Sequence, residues 1–188
     1  MLQAGPLLAR LGKVKVSLPG GCAIGARPIN LHLAGMKKLG ANVKIKGGYL
    51  QLEAKHIKGN RIYFDFPSVG ATENLLMTSV LCDGDTVIEN AATEPEVVDL
   101  MLFLKSMGAK IRGIGKKTII VKGVKKLNGI KYKIMSDRIE AGTFLIMGAI
   151  TCGDIYVENI NPFYLNTLID KLQGTGYCSH YKKCSCFN

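Results

Sequence analysis

The sequence lacks tryptophan and has few aromatic residues of any kind, which make up only 7% of its 188 residues. Proteins that bind single-stranded nucleic acid stack the bases on aromatic side chains, so the sequence predicts no such platform. Its longest uncharged apolar run, residues 143–152, is far too short to cross a bilayer. Residues 1–11 lack a basic flank and a small-residue cleavage site, so we expect no secretory signal and a cytoplasmic location.

Acidic residues are also scarce, with 14 Asp and Glu against 25 Lys and Arg, a net charge of +11. Such a balance favours anionic partners, whether nucleic acid, a membrane surface or phosphorylated metabolites. The basic residues are scattered in pairs rather than gathered in one block. A small phosphorylated substrate therefore fits the charge at least as well as nucleic acid or a membrane does.

The chain contains an internal repeat of about 67 residues. Proline recurs at positions 28, 95 and 162, and glycine recurs at positions 40, 108 and 176. Apolar residues at helical spacing lie between each pair, which predicts helices that begin at proline and end at a left-handed glycine. A pair of strands, a second helix (72–81 or 138–150) and a further strand (83–90 or 153–159) complete the unit. This pattern predicts an α/β (α+β) fold built by duplication.

The six cysteines form no C-x-x-C pair, and three of them crowd into the last eleven residues. Their spacing matches no common zinc module, so we predict no metal site. Cys82 and Cys152 stand at corresponding helix ends of the repeat, where we expect buried structural thiols.

A loop rich in glycine and proline, Ser17–Pro28, has Cys22 at its centre. Glycines let such a segment hinge over a ligand, and the nearby cations Lys13, Lys15 and Arg27 favour a reactive thiolate. The composition alone is equally consistent with a small cysteine packed in a turn.

Three predicted helix starts could bind anions: Arg27–Leu31, Pro67–Thr72 and Asp137–Glu140. Free N–H groups and the helix dipole attract phosphate or carboxylate at such ends. Simple helix capping is the alternative at each of them.

The loop reads Ser-Leu-Pro-Gly-Gly-Cys-x-Ile-Gly-x-Arg-Pro, and four further motifs follow it in order: Leu31-His32, Ser68–Thr72, Glu89–Glu96 and Asp137–Thr143. This series resembles the UDP-N-acetylglucosamine 1-carboxyvinyltransferase (enolpyruvyl transferase) family over about residues 5–176. The sister enzyme of the shikimate pathway shares the family's fold, but the cysteine loop argues against it.

The resemblance implies transfer of the enolpyruvyl group from phosphoenolpyruvate to the 3′-hydroxyl of UDP-N-acetylglucosamine in the bacterial cytoplasm. This is the first committed step of peptidoglycan synthesis, on which cell shape and division depend, and fosfomycin inhibits it. No cofactor, nucleic acid or membrane is implied. The implied fold is an inside-out α/β barrel of repeated βαβαββ units, here incomplete. Residues 1–135 would belong to the cysteine-loop domain and 136–176 to the start of a second domain, with 177–188 an unrelated tail.

The resemblance makes Cys22 the general acid that delivers a proton to the methylene carbon. It places substrate-binding residues in two strips: Arg27, Pro28, Ile29, Asn30 and Leu31 in the first, and Phe66, Pro67, Ser68, Val69 and Gly70 in the second.

No residue matches the aspartate that serves the family as general base, so we expect a truncated or frameshifted chain that does not turn over alone. Two alternatives are an inactive fragment that only binds nucleotide sugar and a basic nucleic-acid-binding module. Apolar faces left uncovered would favour self-association.

Overall fold

A computed structural model describes residues 1–18, 20 and 29–176 of the chain. The chain divides into two units, Met1–Lys133 and Ile134–Asn188. The helices of the first unit are α1 (Ala4–Leu11), α2 (Asn30–Lys38), α3 (Val69–Ser79) and α4 (Pro95–Ser106). Its strands are β1 (Lys13–Ser17), β2 (Asn42–Lys46), β3 (Tyr49–Glu53), β4 (Arg61–Tyr63), β5 (Asp85–Glu89), β6 (Lys110–Arg112) and β7 (Thr118–Lys122). The second unit contains α5 (Arg138–Thr151), a short 3₁₀ helix (Pro162–Leu165) and α6 (Asn166–Gly174).

The strands of the first unit form two sheets. One is antiparallel in the order β1-β3-β2, and the other has the order β4-β5-β7-β6, in which only β4 and β5 run parallel. Tight turns join β2 to β3 and β6 to β7. Gly47 and Gly48 have φ angles of 58° and 76° in the first turn, a left-handed backbone that glycine adopts without strain.

Helix α3 lies at the centre of the first unit, in contact with α1, α2 and α4. Seven of its eleven residues are buried, so it behaves as a core helix rather than a surface helix with one apolar stripe. Its buried polar groups have partners: the Thr78 hydroxyl donates to the Asn74 carbonyl at 2.7 Å, and the Thr72 hydroxyl accepts from the Ala92 N–H at 3.1 Å. The core can therefore hold polar residues without leaving them unsatisfied.

The repeat predicted from proline and glycine spacing is confirmed in the helix ends. Gly40, Gly108 and Gly176 follow their helices with φ angles of 97°, 102° and 87°. Asn161 caps the third copy, because its side chain accepts from the Phe163 N–H at 3.1 Å. The mixed α/β fold is confirmed, while no closed barrel is formed within the residues that the structure describes.

Two predictions for the second unit are wrong. The strand expected over residues 153–159 does not form, because no described strand lies beside it, whereas its counterpart β5 pairs with β4 and β7. Cys152 is exposed rather than buried, at the left-handed end of α5. The predicted tail 177–188 lies outside the described residues. Among the residues described, no helix is long and apolar enough to span a membrane.

Candidate functional site

The expected site residues that the structure describes lie at two helix starts. Three further ones, Cys22, Arg27 and Pro28, lie outside the described residues. The described ones begin α2 (Ile29, Asn30 and Leu31) or precede and begin α3 (Phe66, Pro67, Ser68, Val69 and Gly70).

The start of α2 has no capping side chain among the residues that the structure describes. Ile29 stands at the N-cap position and contributes only its carbonyl, which accepts from the Leu33 N–H at 3.0 Å. Asn30 is exposed, and Leu31 is buried against the core. No described side chain therefore competes with an anionic ligand for the first N–H groups of α2.

The start of α3 carries a neutral cap. The Ser68 hydroxyl accepts from the Ala71 N–H at 3.3 Å, and the Ser68 carbonyl accepts from the Thr72 N–H at 2.9 Å. Phe66, two residues before this cap, exposes 52% of its surface. An exposed ring beside a helix start offers a flat apolar surface next to polar N–H groups, which suits a ligand with both an aromatic ring and phosphates.

The third expected anion site differs from these two. The Asp137 carboxylate accepts from the N–H groups of Ile139 and Glu140, at 2.7 and 3.1 Å. The start of α5 thus already holds a carboxylate of its own chain. At this position the structure supports helix capping rather than ligand binding.

The first turns of α2 and α3 lie side by side. A Cβ built on Gly70 would be 3.6 Å from Cε1 of His32, and a Cβ built on Gly35 would clash with the Leu75 side chain at 2.1 Å. His32 lies beside Gly70 in the first turns, and Gly35 lies beside Leu75 in the next turns. The two helices therefore run in the same direction. This arrangement brings the two strips of expected site residues together, and the two helix dipoles point their positive ends to the same region.

His32 and Asn74 tie the two helices together, and sequence reasoning assigned neither a role. His32 Nδ1 lies 3.0 Å from Asn74 Nδ2, and both side chains are buried. The Asn74 amide has fixed partners in α1 and the N-terminus: its oxygen accepts from the Gly5 N–H at 2.9 Å and its nitrogen donates to the Met1 carbonyl at 3.3 Å. The sequence carried two signals for His32, its place in the Leu31-His32 motif and its position in the first turns of a predicted helix.

This network fixes the protonation state of His32. Because both backbone partners make the Asn74 nitrogen a donor, His32 Nδ1 must accept, and the ring is neutral with its proton on Nε2. Burial lowers the pKa of His32, and the positive amino terminus of Met1 lowers it further.

The remaining charged groups make no metal site. No cluster of three or more His, Cys, Asp or Glu side chains with metal-binding geometry occurs among the described residues. A separate groove of about 430 Å³ on the β6–β7 side of the second sheet contains Lys105, Lys110, Arg112, Lys122 and Asp85, but none of the expected site residues.

Comparison with known proteins identifies the family. The model of the family described as EPSP synthase (3-phosphoshikimate 1-carboxyvinyltransferase) matches residues 1–180. The chain belongs to this family. The resemblance noted in the sequence is also confirmed, since relatives named UDP-N-acetylglucosamine 1-carboxyvinyltransferase are 54% identical to it.

Two such relatives come from Caldanaerobacter subterraneus subsp. tengcongensis and Carboxydothermus hydrogenoformans, each aligned over 175 residues. These alignments cover 93% of this chain but only 42% of each relative, so the chain spans less than half of their length. Among solved structures, the enolpyruvyl transferase NikO from Streptomyces tendae matches with a TM-score of 0.66 and 23% identity, over 78% of this chain and 36% of that one. EPSP synthase from Acinetobacter baumannii matches with a TM-score of 0.65 and 19% identity, over 93% of this chain and 41% of that one. At these identities the structures support the fold alone.

Proposed function

We propose that the protein takes part in transferring the enolpyruvyl group of phosphoenolpyruvate to the 3′-hydroxyl of UDP-N-acetylglucosamine, in the cytoplasm of a bacterium making peptidoglycan. The observation that carries this proposal is the pairing of the first turns of α2 and α3, of which α3 has a neutral cap and α2 has no capping side chain among the described residues. Two adjacent helix starts supply N–H groups to a diphosphate, and the exposed Phe66 ring offers an apolar surface for the base. Relatives at 54% identity bear the name of this activity.

The proposed reaction is an addition followed by an elimination. The sugar hydroxyl bonds to C2 of phosphoenolpyruvate and gives its proton to the family's general base, an aspartate that no residue of this chain matches. The Cys22 thiol gives its proton to the methylene carbon, which becomes a methyl group, and a tetrahedral phospholactoyl species results. In the elimination the methyl group returns a proton to the thiolate and the bond from C2 to the phosphate oxygen breaks, which restores the double bond and releases phosphate. In this scheme Arg27 contacts the anionic groups of the substrates, and Ile29–Leu31 and Phe66–Gly70 hold the nucleotide sugar. Orientation of the two substrates supplies much of the rate, so the positions of these strips matter as much as the thiol.

The two units are consistent with the family's two domains. We propose that residues 1–135 are part of the cysteine-loop domain and residues 136–176 the start of a second domain. The division between Lys133 and Ile134 supports this boundary. On α5 the apolar residues Ile139, Phe144 and Ile150 are exposed, so we also propose that the 188-residue chain self-associates at high concentration.

A segment exchange tests the activity. Residues 1–176 of this chain replace the aligned segment of the Carboxydothermus relative, and phosphate release is measured with both substrates. We expect release that depends on Cys22, so that C22S loses it. The matched control C152S alters an exposed thiol outside both strips and is expected to keep full activity.

Two results would count against the proposal. An exchanged protein that folds but releases no phosphate would favour the alternative of a nucleotide-sugar binder without activity. Equal activity of C22S and C152S would remove the thiol from the mechanism. The 188-residue chain assayed alone is expected to release no phosphate, because a missing positioned base lowers the rate by about 10²–10⁴-fold.

A further inference from the structure

We propose that His32 is a positioning residue for the nucleotide sugar: its neutral ring, held by Asn74, fixes the first turn of α2 against the first turn of α3. The inference rests on the proposed function, because it assigns a role at the same pair of helix starts. His32 itself is buried and directly follows the first strip, so it acts through the backbone of its neighbours.

The ring of His32 lies against the second strip. His32 lies two residues after Asn30, the first residue of α2. The Cε1–Nε2 edge of the ring faces Gly70, where a Cβ would lie 3.6 and 3.7 Å from those two atoms. The side chain that directly follows the first strip therefore lies beside Gly70, the last residue of the second strip.

The side-chain amide of Asn74 anchors this ring. Asn74 lies one helical turn after Gly70 on α3 and donates to His32 Nδ1. Asn74 is itself held by Gly5 and Met1. A Cβ at Gly5 would overlap Asn74 Oδ1 at 2.2 Å, so α1 presses closely on this amide. An amide that is held on three sides keeps the imidazole in one orientation and one tautomer.

This anchor affects binding of the nucleotide sugar through the spacing of the two helix starts. The diphosphate of a nucleotide sugar bridges two sets of N–H groups only if their spacing is correct, and hydrogen bonds weaken steeply with misalignment. Loss of the His32–Asn74 bond removes a directional contact between α2 and α3, and the apolar contact between Gly35 and Leu75 does not fix orientation as a hydrogen bond does.

The test measures binding of UDP-N-acetylglucosamine to the purified 188-residue chain by calorimetry. H32L removes the acceptor and is expected to weaken binding by about tenfold, as expected for loss of one hydrogen bond to a buried donor. H32N places an oxygen where Nδ1 was and is expected to bind within about threefold of wild type. H56L, at an exposed histidine, is the matched control and is expected to bind as wild type does.

Nitrogen NMR of the imidazole rings provides a readout that does not depend on whether H32L folds. In the wild-type chain His32 is expected as the neutral Nε2–H tautomer, with a pKa below its ordinary value because the ring is buried. A His32 ring protonated on Nδ1, or equal affinities of H32L and wild type, would overturn the inference while leaving the proposed function intact. A wild-type chain that binds no nucleotide sugar would overturn both, so the two failures are distinguishable.

Discussion

Helices α3 and α5 hold equivalent places in the repeat, yet α3 buries seven of its eleven residues while α5 buries three of fourteen. Both helices are rich in apolar residues, and both begin at a polar side chain that caps the first turn. The difference comes from their neighbours. Helix α3 is surrounded by α1, α2 and α4, whereas among the described elements of its own unit α5 packs mainly on α6 and the short 3₁₀ helix. Apolar composition thus sets what a helix can bury, and the surrounding elements set what it does bury.

The two cysteines that follow α3 and α5 differ in burial in the same way as the two helices do. Cys82 is buried, and burial together with the neighbouring Asp83 carboxylate raises the pKa of its thiol to about 12. Cys152, in the equivalent place, is exposed. Four measurements test this difference in burial and its consequences.

The largest expected difference is in thiol reactivity. A thiol with a pKa of about 12 has roughly a thousandfold less thiolate than an ordinary one at neutral pH, and burial blocks its access as well. Iodoacetamide should therefore modify Cys152 at least about 10³-fold faster than Cys82, as measured by peptide mass mapping. Comparable rates in the folded chain would mean that Cys82, three residues after the end of α3, is not enclosed.

Core truncation gives the next largest effect. Leu75 is completely buried on α3, so L75A should lower the free energy of unfolding of the first unit by about 2–5 kcal/mol. Ile150 on α5 is 77% exposed, and I150A should change the free energy of unfolding of the second unit by less than about 0.5 kcal/mol. Hydrogen exchange of the α3 and α5 amides measures each unit separately. A loss at I150A as large as that at L75A would show that the α5 face is covered.

The buried histidine predicts a pH dependence that is confined to the first unit. Because the pKa of His32 is lowered in the folded chain, the unfolded chain takes up a proton first as the pH falls below about 6.5. Stability should therefore decrease between about pH 6.5 and the lower folded pKa, and H32N should lack this part of the decrease. Parallel pH profiles for the two proteins would contradict the placement of the ring.

The smallest effect is expected at the surface pair between β4 and β5. Arg61 contacts both carboxylate oxygens of Glu89 at 2.6 Å, but its side chain is 73% exposed. The hydrogen bond and charge of Arg61 lower the pKa of Glu89, so any stabilisation is present above the ordinary carboxyl pKa and is lost as the pH falls through the folded pKa. Urea unfolding should show E89Q only slightly below wild type at pH 7 and equal to it in acid.

Sequence reasoning found the repeat because proline and glycine act locally: a helix start tolerates a missing N–H, and a left-handed end needs no side chain. The same reasoning predicted helix starts at Arg27–Leu31 and Pro67–Thr72, and the family resemblance placed the strips Arg27–Leu31 and Phe66–Gly70 at them. It could not find the His32–Asn74 bond, which joins residues 42 positions apart and exists only once α2 and α3 have packed. It also assigned a strand to residues 153–159 and burial to Cys152, because it assumed that each copy of the repeat has the same neighbours.

Under the proposed function, we expect the nucleotide sugar to bind at the paired helix starts of the first unit and not at the third helix start, where Asp137 already accepts from the N–H groups. Titration of UDP-N-acetylglucosamine into the ¹⁵N-labelled chain tests this most directly through the backbone amides. We predict saturable shifts at Leu31 and Ser68–Gly70, with Ile139 and Glu140 unmoved. Shifts centred on α5, or none at either strip, would contradict the account.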